Sequence, residues 1–341
     1  TNRDAFGIYL EGDNNTFSSS TTVSYINAAN RDAYGIWLWP SNNNTFSSST
    51  TVSYVNATNL AYGIGLSGST NNSFSSSTSV SNLTANYYAY GIYLSRSDDN
   101  EFYDCTISDL TAGGAPTTYG VYMVFWSDEN IISRAKIFKG EGPTIDYGVY
   151  MQGCSDDFIL DSDIFDCLGG ISIHDKSTHT ISGNTIYGNK YGIYLTRTWD
   201  NIITENEIRD NREGIWLINS SNNTIERNKI VNNTGWDTGV HITEGSDGNK
   251  IHWNCFIDNV PQAWDDGHDN NWDYNFWSDY PQWGEYNISG AAGSKDHHTL
   301  RECGGSPQPA AVPALTPLGI IALVGLLSVV LAVSISIGRK R

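Results

Sequence analysis

Short runs of alternating apolar and polar residues recur along the first 260 positions, and Asn, Asp, Gly and Ser separate them. Alternation with a period of two is typical of half-buried β-strands, and the residues between the runs are typical of turns. None of these runs has the 3.6-residue period of an amphipathic helix. The pattern therefore predicts many short strands and excludes the helix as the repeating element.

One strand-like segment of the type YGIYL returns at regular intervals. Its glycines are Gly7, Gly35, Gly63, Gly91, Gly120, Gly148, Gly170, Gly192, Gly214 and Gly239. The interval is 28 or 29 residues up to Gly148 and 22 to 25 residues after it. Such a fixed period is the sequence signature of a solenoid.

Each repeat contains two further apolar runs. A second run starts at an asparagine about nine residues after the glycine, as at Asn44 and Asn201, and a third follows, as in NTIYGN from Asn184. Three short strands in a turn of about 22 residues predict an all-β fold, a right-handed parallel β-helix of about eleven coils. Ile193 should face the interior and Tyr194 the outside.

The 28-residue coils contain an extra segment just before the YG strand. Examples are NAANRDA (27–33) and TANYYA (84–89). We expect these segments to bulge outward as loops and to stack into a lateral ridge that ends near Gly170.

Composition narrows the classes of partner. A chain of 341 residues would ordinarily suggest two globular domains, but only 39% of its residues are hydrophobic and 33 are glycine. The net charge of −18 would repel a phosphate backbone, so nucleic acid is excluded as a partner. The five cysteines have unrelated spacings and form no CxxC pair, so we predict neither a zinc site nor a disulfide.

The C-terminal tail has a different composition. Residues 301–317 are rich in Pro, Gly and Ala and predict a linker, and residues 318–337 are uncharged over a length that spans a bilayer as a helix. The basic residues of 338–341 favour the cytoplasmic side. We therefore predict β-helix repeats over 1–260, a C-terminal cap over 261–300, the linker, a transmembrane or sorting-signal helix, and a cytoplasmic tail.

The repeats follow the form N-x-I-x-x-N-x-x-G-I-x-L and are closed by WDYNFWSDY (272–280) and YNISGAAGSKDHHTL (286–300). In these features the chain resembles the NosD-like parallel β-helix proteins. The resemblance implies the fold but leaves function open, since that group spans copper-site maturation proteins, sugar-binding and sugar-cleaving domains, and archaeal surface-layer proteins. The segment VPALTP (312–317), with the apolar run and basic end, resembles archaeal VPxxxP sorting signals, which implies exchange of the tail for a lipid anchor.

The outward position of the YGIYL strand is aromatic in most coils. A line of rings on a rigid sheet suits sugars, which stack their C–H faces on aromatic side chains. The alternative is that neighbouring rings stabilise the sheet by stacking on each other. The predicted carbohydrate-binding residues are Tyr93, Tyr122, Tyr150, Tyr194 and Trp216.

The ring line is interrupted at Ser172, where small residues predict a notch with His174 pointing outward. For a glycan lyase, epimerase or hydrolase, His174 would be the base, with Asp175 and Arg197 beside it. Asp163 and Asp175 are the candidate carboxylates for hydrolysis. The alternative is a solvated polar patch.

Two other patterns give candidate sites. Asp265, Asp266 and Asp269 could gather oxygen ligands around Ca²⁺ or form an acidic capping turn, and no cofactor is required. Copper is disfavoured because the repeats contain only two methionines and widely spread histidines. Among the Asn-x-Ser/Thr sequons, Asn56 and Asn82 are the favoured glycosylation sites.

These observations predict a membrane-anchored extracellular β-helix protein with a structural or adhesive role at the cell surface. Its expected partners are cell-surface glycans or other surface-layer proteins, with the membrane contacted through the C-terminal segment. A polysaccharide-active enzyme is the first alternative, and a NosD-like copper-site maturation factor is the second.

Overall fold

The computed structural model describes residues 3–113, 118–142, 145–235, 239–280 and 282–305. The predicted apolar segment 318–337, the basic tail and most of the linker lie outside the described residues. No helix within the described ranges is long and apolar enough to cross a membrane.

The described chain winds through three β-sheets, to which each coil contributes one strand. Sheet 1 contains the YGIYL-type strands Ala5–Leu10, Ala33–Leu38, Leu60–Ser67, Tyr88–Ser95, Thr118–Val124, Ile145–Gln152, Cys167–His174, Tyr191–Thr196, Glu213–Ile218, Val240–Ile242 and Ala263–Asp265. Sheet 2 contains Thr16–Phe17, Thr45–Phe46, Ser73–Phe74, Glu101–Tyr103, Ile131–Ser133, Phe158–Leu160, Thr180–Ser182, Ile202–Thr204, Thr224–Glu226, Lys250–His252, Asn271–Asp273, Tyr286–Asn287 and Lys295–Asp296. Sheet 3 contains Thr21–Ala28, Thr50–Ala57, Thr78–Thr84, Cys105–Thr111, Lys136–Phe138, Asp163–Phe165, Thr185–Tyr187, Glu207–Arg209, Lys229–Val231, Cys255–Ile257 and Phe276–Trp277.

The strands of successive coils pair in parallel and in register. Ile193 pairs with Ile171 in the coil before it and with Ile215 in the coil after it. Its side chain is fully buried, whereas Tyr194 is on the outer face. The predicted parallel β-helix and the predicted direction of these two side chains are therefore confirmed, and the eleven strands described in sheet 1 agree with about eleven coils.

Ladders of buried side-chain amides follow the corners between the sheets. Asn206 shows the pattern: its Oδ1 accepts from the backbone N–H and the Nδ2 of Asn184, and its own Nδ2 donates to Asn228 Oδ1 and to the Ile181 carbonyl. The residue before each amide is typically in the left-handed backbone region, as Glu205 is at φ 57°. The repeated asparagines are thus the residues that satisfy backbone donors at the turns.

In the amide ladder that precedes the sheet 2 strands, two coils carry a residue other than asparagine. Asp157 and His179 occupy positions where other coils carry Asn, and both side chains are buried, with His179 Nδ1 3.4 Å from Asp157 Oδ2. Burial raises the pKa of Asp157 well above its usual range and lowers the pKa of His179 to about 4. Burial therefore favours the uncharged form of each group.

The extra segments of the long coils differ from the predicted outward loops. The sheet 3 strands that lead into these segments continue beyond a left-handed residue, such as Tyr54 at φ 55°, and bury Val55 and Leu83 in the core. The turn after each strand is exposed, and these turns are bonded coil to coil, as where Tyr87 N–H donates to the Asn59 carbonyl. The exposed turns stack from coil to coil as predicted, but the segments are not loops throughout, because their first residues continue the strands and Ala28 and Ala85 are buried.

The end of the β-helix is closed by the segment that follows the last coil. This segment returns to the sheets, where Asp296 pairs with Trp272, and Asp296 Oδ2 accepts from the indole N–H of the buried Trp277. Cys255 and Cys303 form a disulfide, so the prediction of no disulfide is wrong. The two cysteines are 48 residues apart in sequence, and only the returning segment brings them together.

Candidate functional site: the aromatic face of sheet 1

Two columns of aromatic side chains cover the outer face of sheet 1. The first column, just before the repeat glycines, contains Phe6, Tyr34, Tyr62, Tyr90, Tyr119, Tyr147 and Tyr191. The second, three residues later, contains Tyr9, Trp37, Tyr93, Tyr122, Tyr150, Tyr194, Trp216, His241 and Trp264.

The repeat glycine explains why both columns face outward. Ile64 faces the core, so strict alternation would turn the side chain of Tyr62 inward as well. Gly63 interrupts this alternation, because it also faces the core. A Cβ on Gly63 would lie 2.3 Å from Val80 Cγ1 and 2.5 Å from the Gly91 carbonyl oxygen. Gly63 therefore faces inward where no side chain fits, and the tyrosine before it remains on the surface.

The rings of the two columns pack mainly on each other. Tyr122 and Tyr150 stack with centroids 5.3 Å apart and planes 9° apart, and Tyr119 meets Tyr122 edge-on at 4.6 Å. Burial in this cluster raises the pKa of Tyr122 and of Tyr150 to about 12, so both hydroxyls are neutral at physiological pH. Stacking of this kind stabilises parallel strands directly.

The five predicted carbohydrate-binding tyrosines and tryptophans lie on this outer face, but neighbouring rings contact them. Tyr93 lies between Trp37 and Tyr122, and Trp216 lies between Tyr194 and His241. A sugar would have to displace a neighbouring ring to stack on most of them. The geometry favours the stabilising role for this part of the columns.

Ring faces become accessible near the first coils. A groove of about 590 Å³ crosses three coils there, and we call it the aromatic groove; it is lined by Phe6, Tyr9, Tyr34, Trp37, Trp39 and Ser67. At one side of the groove Gly65 interrupts the second column, and the Trp37 ring lies over it, since a Cβ at Gly65 would lie 2.1 Å from that ring. Trp39 closes one side and is 51% exposed.

Hydrogen-bonding groups accompany the rings of this groove. The Tyr9 hydroxyl donates to Glu11 Oε1 at 2.6 Å, and this bond raises the pKa of Tyr9 to about 12. The Tyr34 hydroxyl donates to Asp32 Oδ2 at 3.4 Å, and burial raises the pKa of Asp32 above its usual range. Carboxylates therefore lie next to two of the groove's rings, Tyr9 and Tyr34. The sequence analysis did not select Phe6 or Trp39. The one pointer to them in the sequence is that each is an aromatic residue directly next to the repeated strand segment.

The predicted notch at Ser172 is not open. The ring of His174 fills it, with its centroid 4.8 Å from that of Tyr150 and 5.6 Å from that of Tyr194. His174 Nε2 is 2.8 Å from the Ser172 Oγ. The prediction of a notch is wrong because a histidine two residues further along the same strand covers the small side chain.

The other predicted catalytic residues divide into two groups. Asp175 lies beside His174, where it accepts from Arg197 Nε at 2.6 Å and from Gln152 Nε2 at 3.2 Å, and the bond from Arg197 lowers its pKa. Asp163 starts a strand of sheet 3 and pairs with Lys136 and Thr185. Asp163 and His174 belong to different sheets, so the structure does not bring Asp163 to the His174 group.

Burial of His174 makes the stability of the fold depend on pH. It lowers the pKa of His174 to about 4, whereas an unfolded histidine titrates near 6.5. The unfolded chain therefore takes up the proton first, so the stability from this group is complete above pH ~6.5 and falls as the pH drops toward 4. We expect a loss of roughly 2 kcal/mol over that interval, allowing for partial exposure. Chemical denaturation at pH 7 and at pH 4.5 measures it, and His174→Gln should lose less; equal losses in both proteins would contradict this assignment.

The acidic residues predicted to hold Ca²⁺ have other partners. Asp265 is buried and accepts from Gly267 N–H, Asn270 Nδ2, Trp272 Nε1 and Ser294 Oγ. Asp266 accepts from the Trp264 indole and the Ala291 N–H, while Asp269 has a left-handed backbone. No cluster of three or more His, Cys, Asp or Glu suited to a metal ion occurs in the described part of the chain. The arrangement is that of a capping turn.

The two predicted glycosylation sites are on the surface. Asn56 and Asn82 are exposed on the extended strands of sheet 3. In NNT turns such as that at Asn43, the second asparagine, Asn44, is the buried ladder residue, and the sequon asparagine itself is at the surface.

Family comparisons agree with this architecture. Residues 116–291 match the family described as periplasmic copper-binding protein (NosD), and residues 2–146 match the right-handed β-helix region. The first match covers more than half of the chain. The chain belongs to the NosD family. No match is found among curated proteins.

Solved structures share the fold of this NosD-family chain at low identity. A mutant of the periplasmic alginate epimerase AlgG is 14% identical, with a TM-score of 0.50, over 74% of this chain and 61% of that chain. The A-module of the Azotobacter vinelandii mannuronan C-5 epimerase AlgE6 is 12% identical, with a TM-score of 0.43, over 85% and 91%. PfbA, a surface adhesin of Streptococcus pneumoniae, is 12% identical, with a TM-score of 0.46, over 88% and 89%. The chain thus spans about 61% of the AlgG structure, and the likeness to AlgG shows the fold alone.

The family description names copper, but the donors of this NosD-family chain do not fit a copper centre. The sulfur atoms that copper prefers belong to Met123 and Met151, which are fully buried in the core, and to the buried free cysteines. The nearest carboxylate to His179 is the buried Asp157, and His174 contacts tyrosine rings. The described donors therefore do not form a copper site.

Proposed function

We propose that this NosD-family protein binds carbohydrate without cleaving it, and that the aromatic groove is its ligand site. The observation that carries the proposal is the set of accessible ring faces in a groove of about 590 Å³, with Glu11 and Asp32 bonded to the Tyr9 and Tyr34 hydroxyls. This volume is within the range of small-ligand sites. Rings would stack on sugar C–H faces, and carboxylates would accept sugar hydroxyls.

The second part of the proposal is a location at the outer cell surface. The uncharged segment 318–337 and the basic residues after it support a C-terminal anchor with a cytoplasmic end. The Cys255–Cys303 disulfide supports an oxidising compartment for the β-helix. We infer that the ligands are cell-surface glycans or glycans on neighbouring surface-layer proteins, and that the role is structural or adhesive.

Binding is preferred to catalysis because of the geometry around His174. An acid–base pair needs two groups that reach the substrate, but here the imidazole is covered by Tyr150 and Tyr194 and the Asp175 carboxylate is paired with Arg197. The fold does not decide the matter, since β-helices host both activities.

The proposal is tested by Trp39→Ala. Trp39 has no ring partner among the described residues, so its loss removes a stacking surface while leaving the columns intact. We expect at least a tenfold weaker affinity for the best oligosaccharide found on an array of neutral and acidic glycans, measured by calorimetry. The matched control is Trp199→Ala, since Trp199 is 48% exposed and remote from the groove. Equal affinity of the two variants would overturn the assignment of the site.

A further inference from the structure

A second groove lies on sheet 3, at the bend of its long strands. We call it the polar groove; its volume is about 530 Å³, and it crosses four coils, from Tyr54 to Glu141. The bend is set by residues in the left-handed backbone region, which align from coil to coil: Tyr54 at φ 55°, Asn82 at φ 56° and Asp109 at φ 56°. A groove shaped by backbone geometry is preformed, which reduces the entropic cost of binding.

The lining repeats neutral hydrogen-bonding groups at the coil spacing. Asn56, Thr84 and Thr111 pair in register, one per coil, so that an amide and two hydroxyls follow one another along the groove. Parallel strands are about 4.8 Å apart, and the donors and acceptors recur at that interval. A linear ligand that carries hydroxyls on every unit matches this arrangement.

One end of the polar groove has an aromatic platform. The Tyr54 ring stacks on Tyr25 with centroids 4.9 Å apart and planes 2° apart. The next coil has Asn82 instead of a ring at the aligned position, so the other face of Tyr54 looks toward the groove. Tyr54 is 45% exposed. This face is available for stacking against a sugar ring.

The other end carries negative charge and is rigidly held. Asp109 Oδ1 accepts from the backbone N–H groups of Glu141 and Gly142 at 2.7 and 3.0 Å, and Asp109 Oδ2 accepts from Ser108 Oγ. Glu141 also lines the groove, and none of the described lining residues is Lys, Arg or His. A polyanion such as a uronate would be repelled, whereas a neutral or amino sugar would not.

We propose that the polar groove binds a linear oligosaccharide of neutral or amino sugars, as a site separate from the aromatic groove. The rings, amides and hydroxyls recognise the sugar backbone, and Asp109 and Glu141 favour units with a protonated amine. The inference does not rest on the aromatic groove. Two such grooves on two different sheets would let one molecule hold two glycan chains.

The test uses the full chain and three tetrasaccharide probes: chitosan tetramer, its fully N-acetylated form, and alginate tetramer. We expect the first to bind most tightly, the second more weakly, and the third at least tenfold more weakly than the first. Glu141→Gln should reduce the preference for the amine over the acetamide while the N-acetylated tetramer keeps its affinity.

The blocking variant is Asn82→Lys, which places a long side chain inside the groove. Its matched control is Asn222→Lys, because Asn222 is also an exposed sequon asparagine with φ 57° on a remote coil. We expect Asn82→Lys to lower the affinity for both chitin-type probes at least tenfold and Asn222→Lys to leave both affinities unchanged. If Trp39→Ala rather than Asn82→Lys lowered the affinity for these probes, the binding would belong to the aromatic groove and the proposal would be overturned. Tightest binding of alginate, or binding of polylysine without binding of either chitin-type probe, would also overturn it.

Discussion

Asn206→Ala is expected to lower the free energy of unfolding by about 3 kcal/mol. The substitution removes the acceptor of the buried Asn184 backbone N–H, together with the amide that donates to the Ile181 carbonyl and to Asn228 Oδ1. Each buried polar group left without a partner costs about 1–3 kcal/mol, and the vacated volume adds to the cost. Denaturant unfolding followed by circular dichroism measures the change.

The control for this experiment is Thr185→Ala on the same sheet. Thr185 faces outward on the strand that pairs with Glu207, so its truncation should change stability by no more than about 0.5 kcal/mol. If Asn206→Ala were no less stable than Thr185→Ala, the amide ladders would not stabilise the coils, and another cause for the repeated asparagines would be needed.

Gly63→Ala is expected to cost about 3 kcal/mol as well, for a different reason. The new methyl group would meet Val80 Cγ1 at 2.3 Å and the Gly91 carbonyl oxygen at 2.5 Å. The carbonyl belongs to the paired coil and cannot move without breaking the sheet, so the strain is not relieved by a rotamer change. Thermal unfolding measures the loss of stability, and near-ultraviolet circular dichroism should show altered packing of Tyr62.

Gly12→Ala provides the comparison for Gly63→Ala. A Cβ at Gly12 meets only the end of the Asn15 side chain, at 3.2 Å, which can adjust. The expected change is below about 1 kcal/mol. Equal stability of the two variants would show that the coils tolerate a side chain at the repeat glycine and that Gly63 is not required for steric reasons.

Local patterns were sufficient to predict the strands and their stacking. The period of two placed Ile193 inside and Tyr194 outside, and the fixed interval between glycines predicted coils that stack in register. These features depend on neighbours in the chain and on a constant coil length, both of which are visible in a sequence.

Features that depend on the corners could not be predicted in this way. The break in alternation at Gly63 puts Tyr62 outside, and the turn after Leu38 places Trp39 beside the aromatic groove. Asp163 and His174 are near in sequence but belong to different sheets, because a corner separates their strands. The Cys255–Cys303 bond needs the returning C-terminal segment. No period in the sequence reports how far the chain turns at these points.

The central claim is that the aromatic groove holds glycan without altering it. The most direct measurement incubates the protein with neutral and uronate polysaccharides and records bound sugar, new reducing ends and unsaturated products on the same sample. We expect retained, unmodified glycan, with retention reduced in Trp39→Ala by the share that the aromatic groove holds while the polar groove still binds. New reducing ends or unsaturated products that disappear in His174→Ala would contradict it.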